Sequence, residues 1–417
     1  MLKKTFAAVG AALMLSSVAT SGHAADLIIN HGWTSPAEVA ALNVFRRELE
    51  AKGHTWTDFA IPHNQGVSVS LINLITGGNP PNVWINSNPD VYREIFAAGY
   101  GGDLTDFYAK GDYKAHLPAV AAKSITVDGM DVMIPIAIHV DGMLYYNLDV
   151  AAKAGVDPKA WKSLDEMFAD FPKIRAAGFE PLAIGGQEWQ IGYLFHALAA
   201  ATGGPDFYNK VWTGAPDQAA FDSPEMRTAL ETLRKFQQET DAGSPNRDWN
   251  VTTNMVITGK ALMQIHGDWM KGEWTAAGKT AGVDFGCTNI PGTKAISVTV
   301  DNFGVLGGAG VDAEKWQAEL DFASIILDPK VQAEFSKLKG SNPTRTDVPR
   351  DTLDICSLTV LDALGDTSKQ VANTHIVATD DWRTSIDTVV FSYWSDPTQS
   401  VDTAIEGIKA AYDAIYG

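Results

Sequence analysis

Short apolar runs alternate with amphipathic stretches along most of the chain. Leu27-Ile28-Ile29 is the first such run and ends at Asn30-His31-Gly32-Trp33. Ser35-Pro36-Ala37-Glu38 follows, a capping box with Pro at the first helical position. Val39, Leu42, Phe45 and Leu49 recur at helical spacing on one expected face, and Gly53 ends the segment. A strand that enters a helix through a short polar loop is how an α/β domain begins. The pattern repeats. Residues 67–75 read as a helix, Gly77-Gly78-Asn79-Pro80-Pro81 breaks the chain, and Val83-Trp84-Ile85 reads as a buried strand. Further strands are expected over 131–138, 142–147, 181–184 and 261–266, and helices over 91–98, 163–177 and 189–200.

Four of these strands end in turns that carry polar and aromatic groups: Trp33, Asn86, Gln187 with Trp189, and Asp268 with Trp269. In open α/β sheets, ligands sit outside the carboxyl ends of the strands. The strand-end turns therefore outline a candidate cleft, rich in Trp. No internal repeat, low-complexity tract or long linker interrupts the chain.

Residues 6–19 are apolar and uncharged, Lys3 and Lys4 precede them, and Gly22-His23-Ala24 offers small residues at a cleavage site. This predicts an export signal cut after Ala24, or alternatively after Ala25. The run is shorter than a bilayer span, and no Cys follows it to carry a lipid. The remaining chain is too long for one core. Its net charge of −18 becomes more negative once Lys3 and Lys4 leave, which argues against nucleic-acid and anionic-membrane partners. Export places Cys287 and Cys356 in an oxidising compartment. They form either a bridge, closing a loop of roughly 70 residues worth about 4 kcal/mol, or two separate buried thiols. No CxxC or paired His suggests a metal, and GxSxG, HExxH, Walker A and GxGxxG are absent, so no cofactor is expected. With 50 acidic residues, spacing alone leaves a two-acid glycosidase open.

Several segments resemble the extracellular solute-binding proteins of sugar-importing ABC transporters, in particular their periplasmic glucose-binding branch. They are His31-Gly32-Trp33-Thr34-Ser35, the Gly77-to-Pro81 break, Gly185-Gly186-Gln187-Glu188-Trp189-Gln190, Asn246-Arg247-Asp248-Trp249-Asn250, Gln264-Ile265-His266-Gly267-Asp268-Trp269, and Lys339-Gly340-Ser341-Asn342-Pro343-Thr344-Arg345. The resemblance implies a periplasmic-binding-protein-like fold: two α/β lobes joined by crossover segments, with a ligand cleft between them. The expected division is residues 25–137 plus 301–345 for the N-terminal lobe, and 138–300 plus 346–417 for the C-terminal lobe, after a signal peptide over 1–24. It implies a monomeric binding protein, without catalytic residues, that delivers a sugar to a membrane permease. It also implies a Cys287–Cys356 bridge.

The expected ligand contacts are Trp33, Asn86, Trp189 and Trp269 from the strand-end turns, Gln187, Gln190, Asp268, Asp301, Lys339 and His375 as what the resemblance implies residue by residue, and His139 and Asp141 from a segment that differs from the branch. Glu38 is read as a cap rather than a contact. Rings would cover the faces of a sugar while amide and charged groups pair with its hydroxyls. Trp33→Ala or Trp269→Ala should then abolish binding with little loss of fold. Two departures matter: the branch carries paired Trp where this chain has Gly32-Trp33, and Lys where it has Asn86. Both point away from D-glucose and leave another hexose, a derivative, a polyol or a disaccharide. The rival readings are a carbohydrate-active enzyme and a receptor for a non-sugar solute.

Overall fold

The structure is a computed structural model that describes residues 24–61, 67–308 and 311–417. The expected signal peptide therefore lies outside the described residues, apart from Ala24. In chain order the strands are β1 (Asp26–His31), β2 (Thr55–Ala60), β3 (Val83–Ile85), the hairpin of β4 (Thr126–Val127) and β5 (Met130–Asp131), β6 (Met133–Asp141), β7 (Met143–Asn147), β8 (Glu180–Leu182), β9 (Ala261–His266), β10 (Phe285–Asn289), β11 (Ile296–Val305) and β12 (Gln370–Ala372). They build two main sheets. The first runs β12-β11-β3-β1-β2, with β6 also paired to β11; the second runs β10-β7-β9-β8.

Strand β1 is central in its sheet because Leu27 and Ile29 are wholly buried, and it pairs in parallel with β2 and β3. The helix Pro36–Ala51 then starts at the expected box, with Ser35 accepting from the Glu38 backbone N–H and Glu38 reaching back. Its core face is Ala41, Leu42, Phe45 and Leu49, whereas Val39 is 45% exposed. At about 100° per residue, Val39 sits roughly a quarter turn from the Leu42–Phe45–Leu49 stripe, so it lies outside the core face expected to include it. Two hydrophobic cores result. One gathers Phe45, Trp84, Phe303, Phe322 and Phe335; the other gathers Phe171, Phe195, Trp212, Phe221 and Trp382.

The lobes are joined mainly by β6 and β11, which pair antiparallel from Ser297↔Asp141 to Gly304↔Met133. The expected divisions at 138 and 301 fall inside these two continuous strands. Pro135 lies within β6 and has no N–H to donate. The register shifts opposite it, between Asp301 and Asn302, leaving Ile136 without a ladder partner. The Ile136 carbonyl is satisfied instead by the amide of buried Gln332, at 3.1 Å. A third crossing passes beside the ladder, where Ile138 and Asn342 exchange backbone bonds of 2.9 Å each. Strand β6 passes into β7 of the other sheet through Gly142, at φ +78°, where a Cβ would stand 2.6 Å from Ala197 Cβ. Only glycine fits that joint.

Cys287 of β10 and Cys356 of the helix Ile355–Ala363 are bridged, with Cα atoms 5.8 Å apart. Asp354 caps that helix and pairs with buried Lys271 at 2.9 Å. Replacing both cysteines by Ser should lower the unfolding free energy by about 2–4 kcal/mol, measured by guanidinium denaturation of the oxidised protein and the variant; equal midpoints would refute a stabilising bridge.

Candidate functional site

A cleft of about 380 Å³ opens where the turns after β1, β3 and β9 meet the helices Glu188–Gly203 and Asp380–Ser395. The first lobe supplies Gly32, Trp33, Glu38, Asn86, Ser87, Asp301 and Lys339; the second supplies Trp189, Tyr193, Trp249, Trp269, Thr299, His375, Asp380, Arg383 and Asp387. Seven of the expected residues are thus brought together: Trp33, Asn86, Trp189, Trp269, Asp301, Lys339 and His375.

On the first wall, Trp33 stacks on Phe335 at 5.9 Å and is only 4% exposed. Lys339, at the C-terminus of the helix Pro329–Lys339, places its ammonium 4.7 Å from the Trp33 ring centre and 3.8 Å from Glu38 Oε1. Glu38 keeps its capping role, since Oε2 accepts from the Thr34 and Ser35 N–H groups at 3.0 Å each. Its other oxygen is what faces the cleft cation, so cap and site are one carboxylate. Asn86 donates its backbone N–H to Asn302 O at 3.0 Å and accepts the Asn88 N–H on Oδ1 at 2.8 Å. Ser87 donates to Val300 O at 2.7 Å. These bonds fix the β3 turn against β11.

The second wall is aromatic. Trp269 stands edge-on to Tyr193, His139 and His266 at 5.7, 5.3 and 5.0 Å. It can fold there because residue 267 is Gly, whose Cβ position would lie 2.1 Å from the ring. Trp189 donates its indole N–H to Gln187 Oε1 at 2.9 Å, and Trp249 closes the same corner over His266. His266 is buried without a charged partner, and burial holds its pKa down to about 3, so it is neutral packing under three indoles. At the far edge Arg383 pairs with Asp387 at 3.1 Å and Asp380 at 3.5 Å, while His375 tilts against Tyr193 at 5.7 Å.

Five expected residues lie behind these walls rather than lining them. His139 and Asp268 are both 1% exposed and paired at 2.5 Å. Asp141 accepts from Ser297, Thr299 and Asn373, and burial pushes its carboxyl up to about 6 against those bonds. Gln187 and Gln190 bond each other, with Gln190 also donating to Arg247 O at 2.9 Å. A buried amide or carboxylate already satisfied by the protein has little left to offer a ligand; Gln187 alone of the five is half-buried, its amide engaged by Trp189, Gln190 and Asp248. Tyr193, Arg383, Asp387 and Trp249 line the cleft without being among the contacts expected from sequence. Tyr193 follows Trp189 by one helical turn, and Arg383 precedes Asp387 by one, so i,i+4 spacing was the available signal. Among the described residues, no group of three or more His, Cys, Asp or Glu is placed to hold a metal.

Residues 70–354 match the family described as bacterial extracellular solute-binding proteins. The "probable sugar-binding periplasmic protein" of Mesorhizobium japonicum is 37% identical over 363 residues, spanning 85% of this chain and 84% of that protein. Its namesake in Brucella suis is 34% identical over 346 residues, 82% of this chain and 80% of that one. Among solved structures, a chitin oligosaccharide binding protein superposes with a TM-score of 0.77 at 19% identity, covering 94% of this chain and 99% of its own. The solute receptor AcbH, described as preferring b-D-galactopyranose, gives 0.79 at 15% identity, covering 94% and 98%. These superpositions make the fold that of the periplasmic binding proteins.

The burial of Trp33 changes one expectation. Its truncation to Ala should cost about 3–5 kcal/mol of stability, as for other core Trp residues, and not leave the fold untouched. Denaturant unfolding of Trp33→Ala checks this; a change below about 1 kcal/mol would show that the ring is not part of the core.

Proposed function

The chain belongs to the bacterial extracellular solute-binding proteins, and we propose that it is the periplasmic receptor of an ABC importer that binds a neutral monosaccharide or close derivative in the cleft between its lobes. It is a binding protein and not an enzyme. The observation that carries the ligand class is the division of labour across the cleft. The half-buried rings of Trp189, Tyr193 and Trp269 stand on one side, and Glu38, Asn86, Asp301 and Lys339 stand on the other. A pyranose has the same division, with C–H groups on its faces and hydroxyls at its rim. Rings bury the faces, and charge-assisted bonds take the hydroxyls.

Charge supports a neutral ligand. Lys339 faces Glu38, and Arg383 faces Asp380 and Asp387; with Asp301 the lining holds four carboxylates to two cations, both of them already paired, which disfavours an anionic ligand. Its volume is at the small end of the 300–1,000 Å³ typical of ligand sites, which favours one ring over a long oligosaccharide. Contacts from both lobes make the closed form the one the ligand stabilises, and that form is what the permease partner would recognise. Residues 1–24 are the export signal, and the mature receptor acts as a monomer.

A thermal-shift panel of D-glucose, D-galactose, D-mannose, D-xylose, sorbitol and maltose tests this. At a hundredfold excess over Kd, a bound monosaccharide should add about 2.7 kcal/mol of stability. Stabilisation by maltose alone would overturn the single-ring assignment, and turnover of any hit would overturn the receptor. Trp269→Ala should weaken the bound monosaccharide by at least about tenfold, or 1.4 kcal/mol, while unfolding at nearly the parent midpoint. Unchanged affinity in calorimetry would remove Trp269 from the site.

A further inference from the structure

The surroundings of His139 carry a second assignment, which rests on the sugar-binding reading above. His139 lies on β6, 1% exposed, with Nδ1 bonded to Asp268 Oδ1 at 2.5 Å and Nε2 3.3 Å from Asp301 Oδ2, an ion-pair contact not aligned as a hydrogen bond. The other oxygen of Asp268 accepts from Val140 N at 3.3 Å and from Asn342 Nδ2 at 3.1 Å. One imidazole therefore joins both long crossing strands, the third crossing through Asn342, and the turn that leads to Trp269. Asp301 is the member of this set that reaches the cleft, 22% exposed beside the register shift. We infer that His139 is a positioning residue for sugar binding: it holds the Asp301 carboxylate toward a sugar hydroxyl and ties that carboxylate to the segments on which the lobes turn.

Two carboxylates around one buried ring need a countercharge, since removing one partner of a buried pair leaves an uncompensated charge. Burial opposes the imidazolium, but Asp268, reinforced by Asp301, outweighs it and pushes the ring up to about 9. Lys339 opposes the charge from the helix Pro329–Lys339, and Asp141 lies two residues along the same strand. Trp269 covers one edge of the ring. The folded value lies above the ordinary ~6.5. The ion-paired form is therefore complete below about pH 6.5 and is lost as pH rises through about 9.

The test measures calorimetric affinity from pH 6 to 10 for whichever of D-glucose, D-galactose, D-mannose or D-xylose stabilises the full chain. The parent protein should bind equally from pH 6 to 8 and about tenfold more weakly at pH 10. His139→Gln should lose at least about tenfold at pH 7 and show no fall between pH 8 and 10. Asp301→Asn should lose as much, and the double variant no more than either single one. Parent-like binding by His139→Gln, or additive losses, would overturn the assignment. If His139→Gln does not fold, or no sugar binds, NMR titration of the His139 ring in the parent and in Asp301→Asn decides the contact. A lower titration midpoint in the variant supports it, and an unchanged midpoint refutes it. Absence of any sugar hit defeats the ligand reading by itself and leaves this titration standing.

Discussion

The antiparallel pairing of β6 with β11 is the constraint on which both lobes depend. Every residue of β6 is buried, so the strand serves as core for two sheets at once and cannot slip by one residue without turning its side chains over. Pro135 interrupts the ladder, and the structure absorbs the interruption locally. The register shifts, Gln332 takes the orphaned Ile136 carbonyl, and Thr344 donates to Pro135 O at 2.9 Å. This completeness matters because an unpaired carbonyl buried there would cost about 1–3 kcal/mol. The shift falls at Asp301 and Asn302. On one side of it Asn302 is wholly buried and bonds Ser87 and Val300; on the other Asp301 reaches the cleft. A backbone irregularity forced by one proline thus sits where the joint and the candidate site coincide.

The electrostatics of the cleft follow from the same economy. The chain carries a net charge of −18, and both cations of the cleft, Lys339 and Arg383, are held against carboxylates. Buried pairs such as Lys339–Glu38 add little net stability, because desolvation consumes most of their attraction. Their value lies in holding oriented donors and acceptors where water is scarce. Such groups strengthen hydrogen bonds to a polar, uncharged partner and penalise a partner that fails to match them.

Local signals in the sequence were legible, and long-range ones were not. The capping box at Ser35–Glu38, the glycine and proline breaks, and the turns bearing Trp33, Asn86, Trp189 and Trp269 all rest on neighbouring residues, and each appears where those neighbours place it. Depth could not be read the same way. Trp33 and Trp269 look alike in sequence, but Phe335, just over three hundred positions on, stacks on the first and draws it into the core. Resemblance pointed to Asp268, and a segment that departs from it pointed to His139 and Asp141, but only the packed strands show them one layer below the surface that a ligand would touch. Arg383 and Asp387 were missed because they come from a helix far along the chain. It approaches the helix Glu188–Gly203 at Gly192, whose Cβ position is 2.7 Å from Asp387 Oδ1. No spacing rule links those two segments.

The difference between Asn86 and the Lys of the glucose-binding branch can now be given a physical form. Oδ1 of Asn86 is engaged by the Asn88 N–H, and its backbone N–H is spent on Asn302 O. What remains is a neutral amide donor on a turn pinned to β11. A Lys would bring a long, mobile, strongly hydrated charge to the same wall that already holds Lys339, beside the carboxylates of Glu38 and Asp301. With Asn86 the first wall keeps one cation and its carboxylates. Discrimination among ligands then falls to the direction of short, fixed hydrogen bonds and the fit of rings against C–H faces, both of which depend on how hydroxyls are arranged around a ring.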